Sequence, residues 1–235
     1  MNIALVLSGG SGTRLGAELP KQYRIIAGKP VVVHTLEQFQ RCAEIGFVTA
    51  VAAPEWESAI WGWKRTYGLT KLRAVAPAGK NRQQSIRNGL LAAEPFMEGT
   101  PGGVVIQDAA RPLTTQDLLS RLLQGLSEAP CVMPALPVTD TAYTSRDGQW
   151  VDGLLDRAVL YTGQAPEAFH YRPYLKLYRE TSPEELSSMS GSCQLPYSRG
   201  WAVKMIPGDP DNLKITYPAD LETCEKRLLE REKTV

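Results

Sequence analysis

Cysteine and histidine are scarce in this chain, and the scarcity bears on several chemistries at once. Of 235 residues four are cysteines (Cys42, Cys131, Cys193 and Cys224), with no Cys-X-X-Cys pair, and two are histidines (His34 and His170). Neither a zinc site nor a disulfide framework is expected from that set, and unpaired thiols suit a reducing, cytoplasmic setting. Excess charge is missing too: 26 Lys and Arg stand against 25 Asp and Glu, a net charge of +1. That balance argues against a nucleic-acid binder or a polybasic membrane surface, so any anionic ligand has to be held by a local site. Long hydrophobic runs are lacking as well. The N-terminal run from Ile3 to Leu7 ends at glycines and follows no basic segment, which speaks against a signal peptide or a membrane span.

What is present suits a globule. Hydrophobic residues make up 43% of the chain, and a chain of this length removes about 70% of its unfolded surface from water. Ile3 to Leu7 has the continuous apolar character of a strand buried on both faces of a parallel sheet. Leu36, Phe39 and Cys42/Ala43 recur at helical spacing between His34 and Ile45, and Phe47 to Ala53 reads as a strand ended by Pro54. Trp56, Ile60, Trp63 and Tyr67 share one helical face, better explained by packing on a sheet than by a ligand cage. A strand from Leu72 to Ala76, a helix from Arg82 to Glu94 and a buried strand ending at Gln107-Asp108 follow, then a helix carrying Leu118, Leu119, Leu122 and Leu126. Cys131 to Val138 is apolar but contains Pro134 and Pro137, which predicts a strand that turns irregular. From about residue 139 to 160 the pattern is polar, with Arg146-Asp147-Gly148-Gln149 as a hairpin turn signal. Beyond it the pattern predicts a helix from Tyr171 to Glu180, a loop-rich stretch, a strand from Ala202 to Ile206 and a last helix from Ala219 to Arg231. The expected fold is α/β, a Rossmann-like doubly wound, mostly parallel sheet in one domain over 1–235, with an inserted β-hairpin arm.

Ser8-Gly9-Gly10-Ser11-Gly12-Thr13-Arg14 follows the first strand directly, and Pro20-Lys21-Gln22 comes next. Glycines at the carboxyl end of a strand let backbone N–H groups approach an anion closely, which is phosphate-binding chemistry. Leu15 stands where a dinucleotide fingerprint needs its third glycine, and no Gly-Lys-Ser/Thr follows, so this is neither that fingerprint nor a Walker loop. Arg14 and Lys21 distinguish it from a plain tight turn, because two cations there call for an anion. Asp108 ends a buried strand at the place where open α/β sheets hold ligands, and a carboxylate there suits Mg²⁺. Asp211 is a second acidic candidate. His34 and His170 read as packing or surface residues.

The segment LSGGSGTRLG…PKQY resembles the GxGxRxG…PKQ signature of nucleotidyltransferases that activate sugar and polyol phosphates. Within that group the chain is similar to the cytidylyltransferases for 2-C-methyl-D-erythritol 4-phosphate and for ribitol 5-phosphate. The resemblance continues through Gly28 to Thr35, Gly79 to Gly89, Asp108-Ala109-Ala110-Arg111-Pro112, Asp140-Thr141, Arg157, Gly163-Gln164-Ala165-Pro166-Glu167-Ala168-Phe169 and Asp211 to Leu221. It implies an enzyme that transfers CMP from CTP to a polyol phosphate and releases pyrophosphate, with Mg²⁺. CTP would be wrapped by Ser8, Gly9, Gly10 and Gly12 and by Gly79, Arg82 and Ser85, with Asp108 and Ala109 beside it. Arg14 and Lys21 fall where the family neutralises charge building on the α-phosphate. A phosphate oxygen is already a competent nucleophile, so a missing general base is no objection. Thr141, Arg157 and Lys214 match positions that hold the acceptor, with Ala165 and Ser190 on the same side. In that family the arm crosses to a second subunit, which implies a homodimer whose Thr141 and Arg157 serve the neighbour's site. Three roles stay open: Arg82 as surface charge or pocket wall, Arg157 as exposed hairpin residue or site residue, and Asp108 toward metal, ribose or acceptor.

The chain departs from the family pattern in three places. Gln107 replaces a His, Ala165 replaces the Thr of a Gln-Thr-Pro-Gln block, and Ser190-Gly191-Ser192-Cys193 replaces a Thr-Asp-Asp/Glu-Ala run. All three are expected toward the acceptor, which predicts an ordinary CTP side and an altered acceptor pocket. Tyr161 to Gln164 and Thr181 to Glu185 lean toward the ribitol phosphate branch, whose products are precursors of cell-wall polymers. The methylerythritol phosphate enzyme of isoprenoid synthesis is the second reading. A non-catalytic nucleotide-binding homologue is the third.

Overall fold

Ile3, Ala4, Leu5 and Val6 are fully buried, as an apolar run enclosed on both faces of a sheet has to be. They form β1 (Asn2–Leu7), the centre of an eight-stranded sheet. The computed structural model describes residues 1–10, 19–99 and 101–233. After β1 come a short hairpin, β2 (Ile25–Ile26) and β3 (Lys29–Pro30), then α1 (Val31–Arg41), β4 (Ile45–Ala52), α2 (Glu57–Thr66), β5 (Leu72–Pro77), α3 (Arg82–Ala93) and β6 (Gly103–Asp108). The chain continues with α4 (Gln116–Gly125), β7 (Cys131–Pro137), an outer hairpin of β8 (Ala142–Thr144) and β9 (Gly153–Leu155), β10 (Tyr161–Gly163) and β11 (Glu167–His170). It closes with α5 (Tyr171–Glu180), α6 (Pro183–Ser187), α7 (Gln194–Ser198), β12 (Val203–Pro207) and α8 (Pro218–Glu232).

The sheet order is β10-β7-β11-β6-β1-β4-β5, with β12 also paired to β7. β5, β4, β1 and β6 are parallel, β11 runs antiparallel to β6 and β7, and β12 is parallel to β7. Chain order therefore reverses at β1, with β4 on one side and β6 on the other, which opens a crevice at their carboxyl ends. One face of the sheet packs Leu36 and Phe39 of α1, Ile60 of α2 and Leu118, Leu119 and Leu122 of α4. The other packs Ile86 and Leu90 of α3 and Tyr174 and Tyr178 of α5. A smaller cluster of Ile26, Val31, Ala110, Ile215, Cys224 and Leu228 seats α8 behind the crevice.

Two local expectations change. The stretch after α5 is not simply loop: Ser182 accepts a hydrogen bond from Glu185 N, and Pro183 opens α6, an N-cap and first-turn proline in sequence. β7 also stays regular through its prolines. Pro134 sits in register with Ile206, and its carbonyl still accepts from Gln164 N at 2.8 Å. The hairpin at 139–160 is present and exposed, with β8 and β9 paired antiparallel. Trp150, Val151, Leu154 and Val159 stand in solvent along it.

Candidate active site

A cleft of about 530 Å³ opens at the carboxyl ends of β1 and β6, and Gly9, Gly10, Lys21, Gly79, Lys80, Asn81, Arg82, Ser85, Asp108 and Lys214 are among its walls. Neither loop has room for a side chain, the first against the second and the second against the start of α3. A Cβ on Gly9 would lie 2.3 Å from Ala78 Cβ, and one on Gly79 2.3 Å from Gln84 Cβ. Gln22 holds the first loop through its Nε2, donating to Ser8 O at 2.6 Å and Gly10 O at 2.8 Å. Tyr23 adds a hydroxyl bond to Ser8 O at 2.9 Å and stacks on Trp56 with ring centroids 3.9 Å apart. Lys21 begins that same 3-10 turn, so packing of its neighbours sets where the ammonium starts from. Asn81 caps α3 by accepting from Gln84 N, and Ser85 Oγ accepts from Gly79 N and donates to Asn81 O. The second loop is thus shaped before any ligand arrives, with a helix N-terminus facing the cleft.

Charge gathers around Asp108, which is 8% exposed. Arg82 Nη1 donates to its Oδ1, Lys214 Nζ lies 2.8 Å from Oδ2, and Arg111 Nε is 3.8 Å away. Burial alone would raise the Asp108 carboxyl, but Arg82 and Lys214 outweigh it and hold it well below the usual carboxylate range. Burial likewise opposes the Arg82 charge, and Asp108 and Glu167 overcome it, so that guanidinium is held firmly protonated. Three cations on one carboxylate leave a cationic surplus aimed at an anion.

Several expected residues lie elsewhere. Arg14 and Gly12 fall outside the described residues. Ser8 is buried and turns its hydroxyl to Val51 O at 2.9 Å, so it anchors the loop and does not line the cleft. Ala109 is buried with its N–H on Leu7 O and its carbonyl on Thr35, and Ala110 reaches the cleft instead. Ala165 is 6% exposed, and its carbonyl accepts from Asn212 Nδ2 at 2.7 Å. Ser190 is exposed away from the cleft, with its N–H on Gln194. Gln107 points to the face opposite Asp108, as alternation along a strand requires, and donates to Thr114 Oγ1 at 2.6 Å. Only the 190–193 segment among the three departures therefore reaches the site, through Ser192. Thr141 and Arg157 are exposed on the arm, and Arg157 donates to Thr139 O at 2.8 Å.

Asp108 and Asp211 do not fit a shared Mg²⁺ site. Asp211 is exposed and paired with Arg227 at 2.6 Å, while Asp108 is already enclosed by cations. Among the described residues no cluster of three His, Cys, Asp or Glu could hold a metal.

The sequence reading passed over Thr216 and Lys80 on the cleft wall, and Arg111 as a partner of Asp108. All three lie in or beside segments quoted for the resemblance. A chain of bonds also joins the arm's root to the wall: Gln164 Nε2 donates to Asp209 O and Gln164 Oε1 accepts from Asp209 N, both at 3.0 Å. Asn212 Nδ2 reaches Ala165 O, and Arg111 Nη1 donates to Asn212 O at 2.6 Å.

Glycine loops and a cationic surplus at the switch point of a doubly wound sheet define a nucleotide-site α/β protein. The family model described as IspD, 2-C-methyl-D-erythritol 4-phosphate cytidylyltransferase, matches residues 2–230, and the chain belongs to that family. It is 37% identical over 235 residues to the 2-C-methyl-D-erythritol 4-phosphate cytidylyltransferase of Rubrobacter xylanophilus, covering 98% of this chain and 96% of that one. It is 34% identical over 223 residues to the bifunctional enzyme IspD/IspF of Rhodospirillum rubrum, covering 95% of this chain. The chain spans about half the length of the bifunctional relatives, 56% in that case. The crystal structure of 4-diphosphocytidyl-2C-methyl-D-erythritol synthase from Anaerococcus prevotii shares the fold at a TM-score of 0.80 and 24% identity, covering 97% of this chain and 96% of that one. Among the described residues no helix is long and apolar enough to cross a membrane.

Proposed function

We propose that this chain transfers CMP from CTP to 2-C-methyl-D-erythritol 4-phosphate, releasing pyrophosphate. The observation that carries this reading is the cleft itself, where two glycine loops and Lys21 share the walls with Arg82, Asp108 and Lys214, and Arg111 stands behind Asp108. The expectation of an altered acceptor pocket loses support from Gln107 and Ala165, since neither is among the residues that line the cleft. The relatives are named for methylerythritol phosphate, which supports the second reading over the first.

In this reaction a phosphate oxygen of the acceptor attacks the α-phosphorus of CTP as the bond to the β-phosphate breaks, and pyrophosphate carries away the electron pair. No proton has to be removed from the nucleophile. The chain's part is to align the two anions and to meet the charge that grows at the α-phosphate with fixed cations. Lys21 takes that place beside the glycine loop, and the N-terminus of α3 with Gly79 and Ser85 holds the nucleoside. Lys214 and Arg111 face the acceptor's phosphate. Asp108 and Asp211 are both engaged by cationic side chains here. The exposed apolar arm would be covered in a homodimer, carrying Thr141 and Arg157 to the partner's cleft.

Pyrophosphate release measured with CTP and methylerythritol phosphate, ribitol 5-phosphate or no acceptor tests the reading. Methylerythritol phosphate is expected to give the highest kcat/KM. Release with ribitol 5-phosphate alone restores the other acceptor, and tight CTP binding without release from any acceptor makes the chain a binding homologue.

A further inference from the structure

Arg82 is held from two sides. Its Nη1 donates to Asp108, and its Nη2 donates to Ser192 Oγ at 3.1 Å while lying 3.7 Å from Glu167 Oε2. Glu167 opens β11 opposite Ile106 of β6, so it shares the sheet face of Asp108, and it is 7% exposed. Burial raises the Glu167 carboxyl, and Arg82, with Ser192 and Cys193 after it, opposes that rise. Ser192 arrives from a separate segment that is itself pinned. Gln83 Nε2 donates to Gly191 O at 2.9 Å, Tyr174 donates to Ser192 O at 3.0 Å, and Tyr178 donates to Gln83 Oε1 at 2.5 Å.

These contacts give positions 167 and 192 a common meaning. By the resemblance, Ser192 stands in the place of an Asp or Glu in the Thr-Asp-Asp/Glu-Ala run, and Glu167 in the place of the Gln that ends the Gln-Thr-Pro-Gln block. One carboxylate is lost and one gained around a single guanidinium, so the local charge is unchanged. A guanidinium is a planar fork whose two arms here donate to Asp108 Oδ1 and Ser192 Oγ, and Glu167 at 3.7 Å adds a charge beside the second arm and not a hydrogen bond. Removing one partner of a buried ion pair also leaves a charge without compensation.

We propose that Glu167 is the positioning residue of Arg82, supplying from β11 the counter-charge that the family pattern places at position 192. This rests on reading the cleft as the CTP site. Its consequence is that positions 167 and 192 are exchangeable only as a pair.

The test combines melting curves with steady-state kinetics for Glu167→Gln, Ser192→Glu and the double variant. Glu167→Gln is expected to lower kcat/KM for CTP by about 10- to 100-fold, mainly through KM, because a misplaced binding group loses alignment. Adding Ser192→Glu should recover most of that loss and raise Tm above that of Glu167→Gln alone. In the unaltered background the same Ser192→Glu change sets a second carboxylate against Glu167 and should lower Tm, so its effect reverses sign between backgrounds. Ser192→Asp serves the same purpose if the longer side chain prevents folding. An equal Ser192→Glu effect in both backgrounds, in folded proteins, overturns the proposal. The sign reversal needs no turnover, so an inactive parent protein that still shows it counts against the functional reading alone.

Discussion

Asp108 and Arg157 are both charged, yet the chain treats them oppositely. Asp108 meets Arg82, Lys214 and Arg111 and is nearly out of solvent. Arg157 lies exposed on the arm, donating to the carbonyl of Thr139, with Trp150, Leu154 and Val159 uncovered nearby in sequence. The cleft is organised before ligand arrives, which suits a site that must present fixed cations to a changing charge. The arm exposes Trp150, Val151, Leu154 and Val159, which suits a surface completed from outside.

The sharpest way to break this contrast is to disable each half separately. Lys21→Ala is expected to lower kcat by about 10²–10³ while CTP affinity changes less, as when one preorganised charge-stabilising group is removed. If the arm acts across a dimer, mixing Lys21→Ala with Arg157→Ala protein restores part of the activity, because one site of each mixed dimer carries neither change. A verified mixed dimer without recovered activity would return Arg157 to its own subunit.

A smaller effect should appear in stability. Asp108→Asn leaves three cations crowded without their carboxylate and is expected to cost about 3 kcal/mol at pH 7, the range for breaking a buried pair. The folded-state pKa of Asp108 is depressed, so its contribution is complete above the unfolded value of about 4 and fades as pH falls below it toward the folded value. Melting curves of the two proteins should therefore stay apart from pH 7 to pH 5 and converge only in stronger acid. Convergence already at pH 6 would mean that the carboxylate is not held by those cations.

The least effect is expected at Gln107. Because its side chain bonds Thr114 on the far face, Gln107→His should change the acceptor KM by less than about twofold, well within the range of a substitution outside the site. A larger change in acceptor kinetics would place this position closer to the chemistry than its hydrogen bond indicates.

Much of the cleft was legible because its parts are local: a buried strand, the glycines after it, Lys21 a turn later, and Asp108 at the end of the next central strand. Direction was harder to read than position. Ser8 and Ala109 sit at the ends of strands that do form the cleft, yet their polar groups are used to hold the loops. Gln107 adjoins Asp108 and must point away from it, an inference that strand alternation alone allows once β6 is accepted. The Arg82 partners could not be read locally. Glu167 and Ser192 meet only through the antiparallel entry of β11 and the pinned segment after α6, and neither register is written in a nearby motif.

The bonds from Gln164 to Asp209 and from Ala165 to Asn212 bear on how the protein can be cut and rebuilt. A chimera that borrows a relative's arm should place its second junction before Tyr161, leaving β10 and Gln164 with the host. A junction beyond Ala165 would transplant the anchor of the 209–214 segment along with the hairpin. Lys214 would then hang from a graft that had never been fitted to it, and the exchange meant to alter partner choice would alter the cleft as well.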